Sequence, residues 1–234
     1  MTYNEKLIEK YKDEDKIIMT SYQMKDKNGH LVDLTGVVNP LKIDNRHLCA
    51  PTDNQGQESS CAAFSIANIC ESIIWKKTGK LVNLDAHQIY ARAKELDGSK
   101  NSDGTYLECA IKAAFELGGF PSSNIEIGFL YNDGTDAAVE QMKFLLHKYD
   151  FVHCGFQITS GWYNCTNENY IIDCTGRNLG GHAVYAAYYD QEGIGIQNSW
   201  SKEWGSKGFG FMKWEDFKRT LMYACYVKNS FEGI

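Results

Sequence analysis

Gln55-Gly56-Gln57-Glu58-Ser59-Ser60-Cys61-Ala62-Ala63-Phe64-Ser65 is the stretch that decides the fold. It leaves a Gly-containing loop and opens a long helix. Cys61, Phe64, Ile66, Ile69, Cys70, Ile73 and Ile74 recur at helical spacing, Ser59 and Ser60 stand where a cap belongs, and Gly79 stands where the helix would stop. A thiol in the first turn sits at the positive end of the helix dipole, beside backbone N–H groups that lack intrahelical partners. Both favour the thiolate, which is the nucleophilic form. The plainer reading of Cys61 is a small buried side chain on an amphipathic helix.

Working outward, a second helix is expected from about Thr105 to Leu117, with Asp103 or Thr105 as its cap and Gly118 after it, and a third near 136–149. Beyond residue 150 the texture changes to strand-like runs at 151–158, 182–189, 194–197, 208–213 and 223–228, separated by Gly, Asn and Asp clusters. Helices in one half and strands in the other predict an α+β fold with two lobes, helical over about 55–150 and β over about 151–230. Residues 1–39 read as an extension. Tyr3, Leu7, Ile8 and Tyr11 share a helical face, Ile17-Ile18-Met19 and Leu31-Val32 are strand-like, and Asn28-Gly29 signals a turn between them.

The whole chain of 234 residues is long enough for a substantial core, and 43% hydrophobic with 23% charged residues is a globular composition. Its apolar runs are too short for a membrane span; the run that follows His182 is broken by Asp190. With 24 Lys and Arg against 30 Asp and Glu, the net charge of −6 gives no footprint for general nucleic-acid binding. Neither membrane nor nucleic acid is therefore expected as a partner. The opening MTYNEKLIEKYKDEDK has no apolar leader segment, and none of the eight cysteines forms a Cys-x-x-Cys pair. Both features predict a cytoplasmic protein with reduced thiols, delivery into another compartment being left open. No cofactor and no metal is expected. The loop Asp97–Asp103 is acidic but lacks the ligand spacing of a calcium loop.

Two further segments carry polar residues in unusual settings. In Leu179-Gly180-Gly181-His182-Ala183-Val184, two glycines bare the backbone before an imidazole that enters an apolar strand. In Asn198-Ser199-Trp200, followed by Trp204-Gly205 and Gly208-Phe209, Asn198 ends the strand Ile194–Gln197. Cys61, His182 and Asn198 would make a nucleophile, a base and an orienting amide, because an Asn oxygen fixes imidazole tautomer and ring direction. Gln55 would add a side-chain N–H to the Cys61 backbone N–H around an oxyanion. Taken singly, His182 reads as a structural His and Asn198 as a turn residue.

Together the segments resemble the papain family of cysteine peptidases, over about residues 40–234. The resemblance rests on Asp44-Asn45-Arg46, Pro51, Asn54-Gln55-Gly56, Ser60-Cys61, Ala63-Phe64-Ser65, Gly104 with Leu107, Ala110 and Ala114, Gly181-His182-Ala183-Val184, and Asn198-Ser199-Trp200 through Gly208-Phe209. The Gly-Gly-His and Asp-Gly-Thr versions are more similar to microbial or viral members than to secreted animal ones. The resemblance implies a papain-like two-lobe fold, with a cleft between a helical lobe and an antiparallel barrel-like lobe. It implies thiol peptidase activity on extended peptides, with Cys61 as nucleophile, His182 as base, Asn198 as orienter and Gln55 in the oxyanion hole. Trp200 would shield the His–Asn bond and Trp204 would line the leaving-group side. Gly104 would offer its backbone to substrate, Tyr106 and Gly180 would help shape the pocket for the side chain two before the scissile bond, and Thr105 and Gly181 beside them would also contact substrate.

Several departures matter. Glu58 stands where the family carries a disulfide half-cystine, and residues 97–105 lack its partner. Ala62 replaces the Trp beside the nucleophile, and Thr105 the second glycine of a pair. Residues 1–39 are too short for the family's long propeptide and are read as an extra packed element, or alternatively as a segment that restrains the cleft. Two other functions fit the same residues: a different thiol acyl transfer (isopeptidase or transglutaminase-like), and a silent peptide-binding module.

Overall fold

The helix opened by Cys61 runs over Cys61–Thr78 (α1) in the computed structural model, which describes residues 17–20, 23–25, 31–33, 37–99 and 101–228. Its residues from Ala62 to Ile73 are all buried, so α1 is covered on every side, and Ala62, Ala63 and Ala67 keep it thin enough to be enclosed. Gly79 ends it in the left-handed conformation, at φ 66°, and Lys76 and Lys77 lie in its last turn, where cations suit the dipole. Ser60 occupies the N-cap position but makes no capping bond. Its φ and ψ of −103° and 17° lie outside the extended conformation that turns a serine oxygen onto the first N–H groups, and its Oγ is buried without a partner.

Helix α2, Ala86–Leu96, is absent from the sequence reading. Its signal was present: Asp85 accepts from the His87 and Gln88 N–H groups, and Ala86, Ile89 and Ala93 form a buried stripe. Helix α3, Leu107–Glu116, starts two residues later than expected and is preceded by Tyr106. Neither Asp103 nor Thr105 caps it, because the Thr105 hydroxyl donates to Asp97 instead. Helix α4, Asp136–Tyr149, is capped by Thr135 on the Ala137 N–H, and a short α5, Trp214–Thr220, was also unforeseen.

The strands of the C-terminal half are β6, Ile127–Tyr131; β7, Val152–Thr159; β8, Asn178–Tyr189; β9, Gly193–Gln197; β10, Phe209–Lys213; and β11, Leu221–Val227. With the short β5, Ile43–Asp44, on β8, they form one antiparallel sheet in the order β10-β9-β8-β7-β11-β6, which is not closed. Helices cover both faces. Ala183, Tyr185 and Ala187 of β8 pack with α1, α2 and α3, whereas Val184, Ala186 and Tyr189 pack with α4 and α5. The alternation is the period-two pattern of a strand buried on both sides.

Among the described residues of the first forty lie four strands: β1, Ile17–Thr20; β2, Gln23–Lys25; β3, Leu31–Asp33; and β4, Val37–Pro40. They nest as β1 on β4 and β2 on β3, so the stretch at Leu31 pairs with residues 23–25 and not with the stretch at Ile17. The Asn28-Gly29 turn and the amphipathic face of Tyr3, Leu7, Ile8 and Tyr11 lie outside the described residues. Strands β2 and β4 approach α4, where Asn39 Nδ2 donates to the Glu140 carbonyl and carboxylate at 3.0 Å each. This anchorage is on the sheet face opposite α1.

Candidate active site

The first turn of α1 meets the middle of β8. Cys61 is partly buried, and its Sγ accepts from the Ala183 N–H at 3.4 Å. Burial pushes its thiol up, but hydrogen bonding to His182, the His182 charge, and the N–H groups of Ala183 and Ala62 outweigh it, and the net shift is downward. The other seven thiols are all shifted upward by burial, Cys49, Cys154 and Cys174 to about 12 and Cys165 to about 11. One cysteine of eight is thus poised to ionise.

His182 lies four residues into β8, opposite Phe156 of β7, and is buried. Its Nε2 meets Asn198 Oδ1 at 2.8 Å, which leaves Nδ1 for Cys61. The same Asn198 oxygen accepts the Ser199 N–H at 2.8 Å, so it cannot be the amide nitrogen and must receive a proton from His182. Asn198 follows β9, which pairs with β8, and its own N–H donates to the Gly208 carbonyl at 2.9 Å. Gly208 has φ +88°, and a Cβ there would lie 2.2 Å from Thr52 Oγ1, so only glycine fits this support. Trp200 lies over the His182 ring, centroids 4.7 Å apart and planes at 31°.

Gln55 is tied to the Asn198 segment. Its N–H donates to the Ser199 carbonyl at 2.9 Å, and its Oε1 accepts the Ser199 hydroxyl at 2.7 Å. One hydrogen of Nε2 goes to the Glu58 carbonyl at 2.8 Å, and an amide carries two. Glu58 in turn pairs with His87 at 2.8 Å.

A cavity of about 440 Å³ opens beside Cys61 and His182, within the range of small-ligand sites. Gly104, Thr105, Tyr106 and Gly181 line it. Two residues expected at the cleft do not. Gly180 sits at the β7–β8 register shift with φ +100° and does not border this cavity. Trp204 is 7% exposed, and its indole N–H donates to the Trp162 carbonyl at 2.8 Å. It packs against Trp162 and Trp200. The Gly104 carbonyl accepts from Lys94, whereas the Thr105 N–H and carbonyl have no hydrogen-bond partner among the described residues. Thr105 therefore presents the free backbone edge.

The cavity also uses Asp97, Leu107 and Ala183, and with them Gly155, Met222 and Tyr223, which sequence reasoning did not single out. Tyr223 reaches it from β11: its hydroxyl accepts the Leu107 N–H at 3.1 Å and donates to Glu108 at 3.2 Å. Nothing local in Leu221-Met222-Tyr223 announces this, because the register of β11 against β7 sets it. Among the described residues no group of three or more His, Cys, Asp or Glu could hold a metal ion.

No protein-family model matches the chain. It is 27% identical over 205 residues to procathepsin L of Mus musculus, covering 73% of this chain and 59% of that protein. It is 29% identical over 193 residues to cathepsin L2 of Homo sapiens, covering 68% and 55%. The chain thus spans somewhat more than half the length of these curated relatives. Among solved structures, xylellain, a cysteine protease from Xylella fastidiosa, superposes with a TM-score of 0.62 at 21% identity, over 81% of this chain and 86% of the other.

Proposed function

We propose that this chain, which belongs to the papain-like cysteine peptidases, hydrolyses peptide bonds through Cys61, His182 and Asn198. The observation that carries the reading is the one downward-shifted thiol of eight, bonded to an imidazole whose far nitrogen is held by Asn198 at 2.8 Å.

The steps follow from that arrangement. The peptide carbonyl enters beside Cys61, with the substrate backbone along Thr105. The Cys61 thiolate attacks the carbonyl carbon, and the oxygen gains charge between the Cys61 N–H and the second Nε2 hydrogen of Gln55. His182, protonated at Nδ1, gives that proton to the departing amine, leaving a thioester on Cys61. Water then replaces the amine. His182 takes one of its protons, the hydroxide adds to the thioester, and collapse releases the acid and returns the thiolate–imidazolium pair. Asn198 holds the ring direction through both halves, and Trp200 keeps water off that bond.

An epoxysuccinyl cysteine-peptidase inhibitor tests the reading by intact mass. One adduct on the wild type and none on Cys61→Ala is the expected result; no adduct on a folded wild type overturns it. Asn198→Ala should lower kcat by roughly ten- to a hundred-fold, the scale of a misoriented catalytic group, with KM little changed. Gln55→Ala removes one oxyanion donor and should cost about 10²-fold in kcat. A Gln55→Ala enzyme whose loss falls in KM instead would place Gln55 outside the oxyanion hole.

A reducing, cytoplasmic setting belongs to the same proposal. All eight cysteines are free thiols, and where the family carries a disulfide the chain has Glu58 and a cysteine-free loop.

A further inference from the structure

The cleft wall that faces His182 is the segment 97–105, whose described residues form neither helix nor strand and which no disulfide anchors. Such a loop would ordinarily be mobile, yet the proposed activity needs the Thr105 backbone at a fixed distance from Cys61. An ion pair largely shielded from water holds it to α2. The Lys94 side chain, from the last turn of α2, is 12% exposed and that of Asp97 1% exposed, with Nζ and Oδ2 3.1 Å apart.

Lys94 reaches far more of the loop than its ion-pair partner. Its ammonium donates to the Gly104 carbonyl at 2.9 Å, to Ser99 Oγ at 3.1 Å and to Ser102 Oγ at 3.3 Å, as well as to Asp97. Three hydrogens serve four oxygens, so the longest contact shares one. Asp97 closes the other side. Its Oδ1 accepts the Ser99 N–H and hydroxyl at 2.8 Å each, and its Oδ2 accepts the Thr105 hydroxyl at 2.7 Å. Both ends of the loop are thereby pinned to one ion pair. Gly104 itself adopts φ +74°, the left-handed conformation that glycine takes most readily.

We propose that Lys94 is a positioning residue for substrate: its ammonium pins the Gly104 carbonyl inward and so leaves the Thr105 backbone edge facing the cleft. The inference rests on the peptidase reading. The chemistry suits the task. An ammonium is a compact multi-directional donor, whereas a disulfide fixes one point, and partial burial strengthens its bonds to Asp97, Ser99 and Gly104 over those of a surface ion pair. The pair acts on binding and not on bond breaking, since neither residue is among the hydrogen-bond or charge partners of the Cys61 sulfur.

The test compares wild type with Lys94→Met and with Lys94→Met/Asp97→Asn, which removes the ammonium without orphaning a buried carboxylate. Three readouts are taken: kcat and KM on an extended peptide, amide hydrogen exchange over 97–106, and Cys61 alkylation by iodoacetamide. The expected result is KM raised roughly tenfold or more with kcat within about threefold, faster exchange confined to the loop, and unchanged alkylation. Unchanged KM and unchanged exchange in both variants overturn the proposal, as does failure of both to fold, which would make the pair a folding element. A wild type that alkylates at Cys61 but cleaves no peptide removes the peptidase reading alone. The exchange comparison still decides whether Lys94 holds the loop.

Discussion

Cys61→Ala is expected to lower kcat/KM on a peptide substrate by a factor on the order of 10⁴ or more while leaving the fold intact. The size follows from the chemistry, because no other group can form the thioester. The remaining thiols are shifted upward by burial, and water without the nucleophile must attack an amide directly. The structural cost is small. Cys61 is at the first position of α1 and only partly buried, Ala is the better helix former, and the Ala183 N–H that loses its acceptor borders the cleft. Because the groups act as a unit, adding His182→Ala to Cys61→Ala should bring little further loss. The check is fluorogenic-peptide kinetics beside a thermal melt. A folded Cys61→Ala protein within a hundredfold of wild type would remove Cys61 from the role of nucleophile.

Which parts of this arrangement could be read from the chain depends on how locally each is encoded. The start of α1 is local: a cap-type residue, an apolar stripe and a terminal glycine within twenty residues. His182 and Asn198 were nominated by neighbours that strip or bend the backbone, and the β8–β9 pairing brings them to 2.8 Å. The substrate wall was legible only in outline. Gly104 stood out as a glycine, yet Lys94 takes its carbonyl, a fact that depends on α2, which the sequence reading passed over because its stripe is mostly alanine. Tyr223 and Met222 reach the cavity through the register of β11 on β7, where Tyr223 stands opposite Gly155, and no local pattern encodes a pairing between segments so far apart in the chain. Trp204 is expected on the leaving-group side of the cleft; its indole N–H is held by the Trp162 carbonyl, and it does not border the cavity that runs along Gly104–Leu107.

His153 predicts that the protein loses stability in acid. It lies on β7 between Tyr185 and Cys225, 1% exposed, with neither ring nitrogen partnered. Around it are Ile66, Ile69, Phe151 and Cys225, together with Tyr149 and Tyr226, whose ionisation burial opposes, so no opposite charge faces it. Burial alone pulls its pKa down to about 3. Below the ordinary histidine value the unfolded chain takes up a proton that the folded one refuses, so stability falls as pH drops through the window from 6.5 towards 3. Glu71 works in the other direction: burial raises it to about 7, so its protonation favours the fold as pH falls from there to the ordinary carboxylate value of 4.5 and adds nothing below. The wild-type profile is therefore flattened above that value and steep beneath it. Comparing urea midpoints with His153→Leu isolates the imidazole, since Glu71 is common to both. The stability of the variant relative to wild type should grow by about 3 kcal/mol between pH 7 and pH 4. A difference that stays constant with pH would mean that His153 protonates freely in the folded protein. The growing difference would tie the fold to near-neutral surroundings, which is where the proposed cytoplasmic peptidase would work.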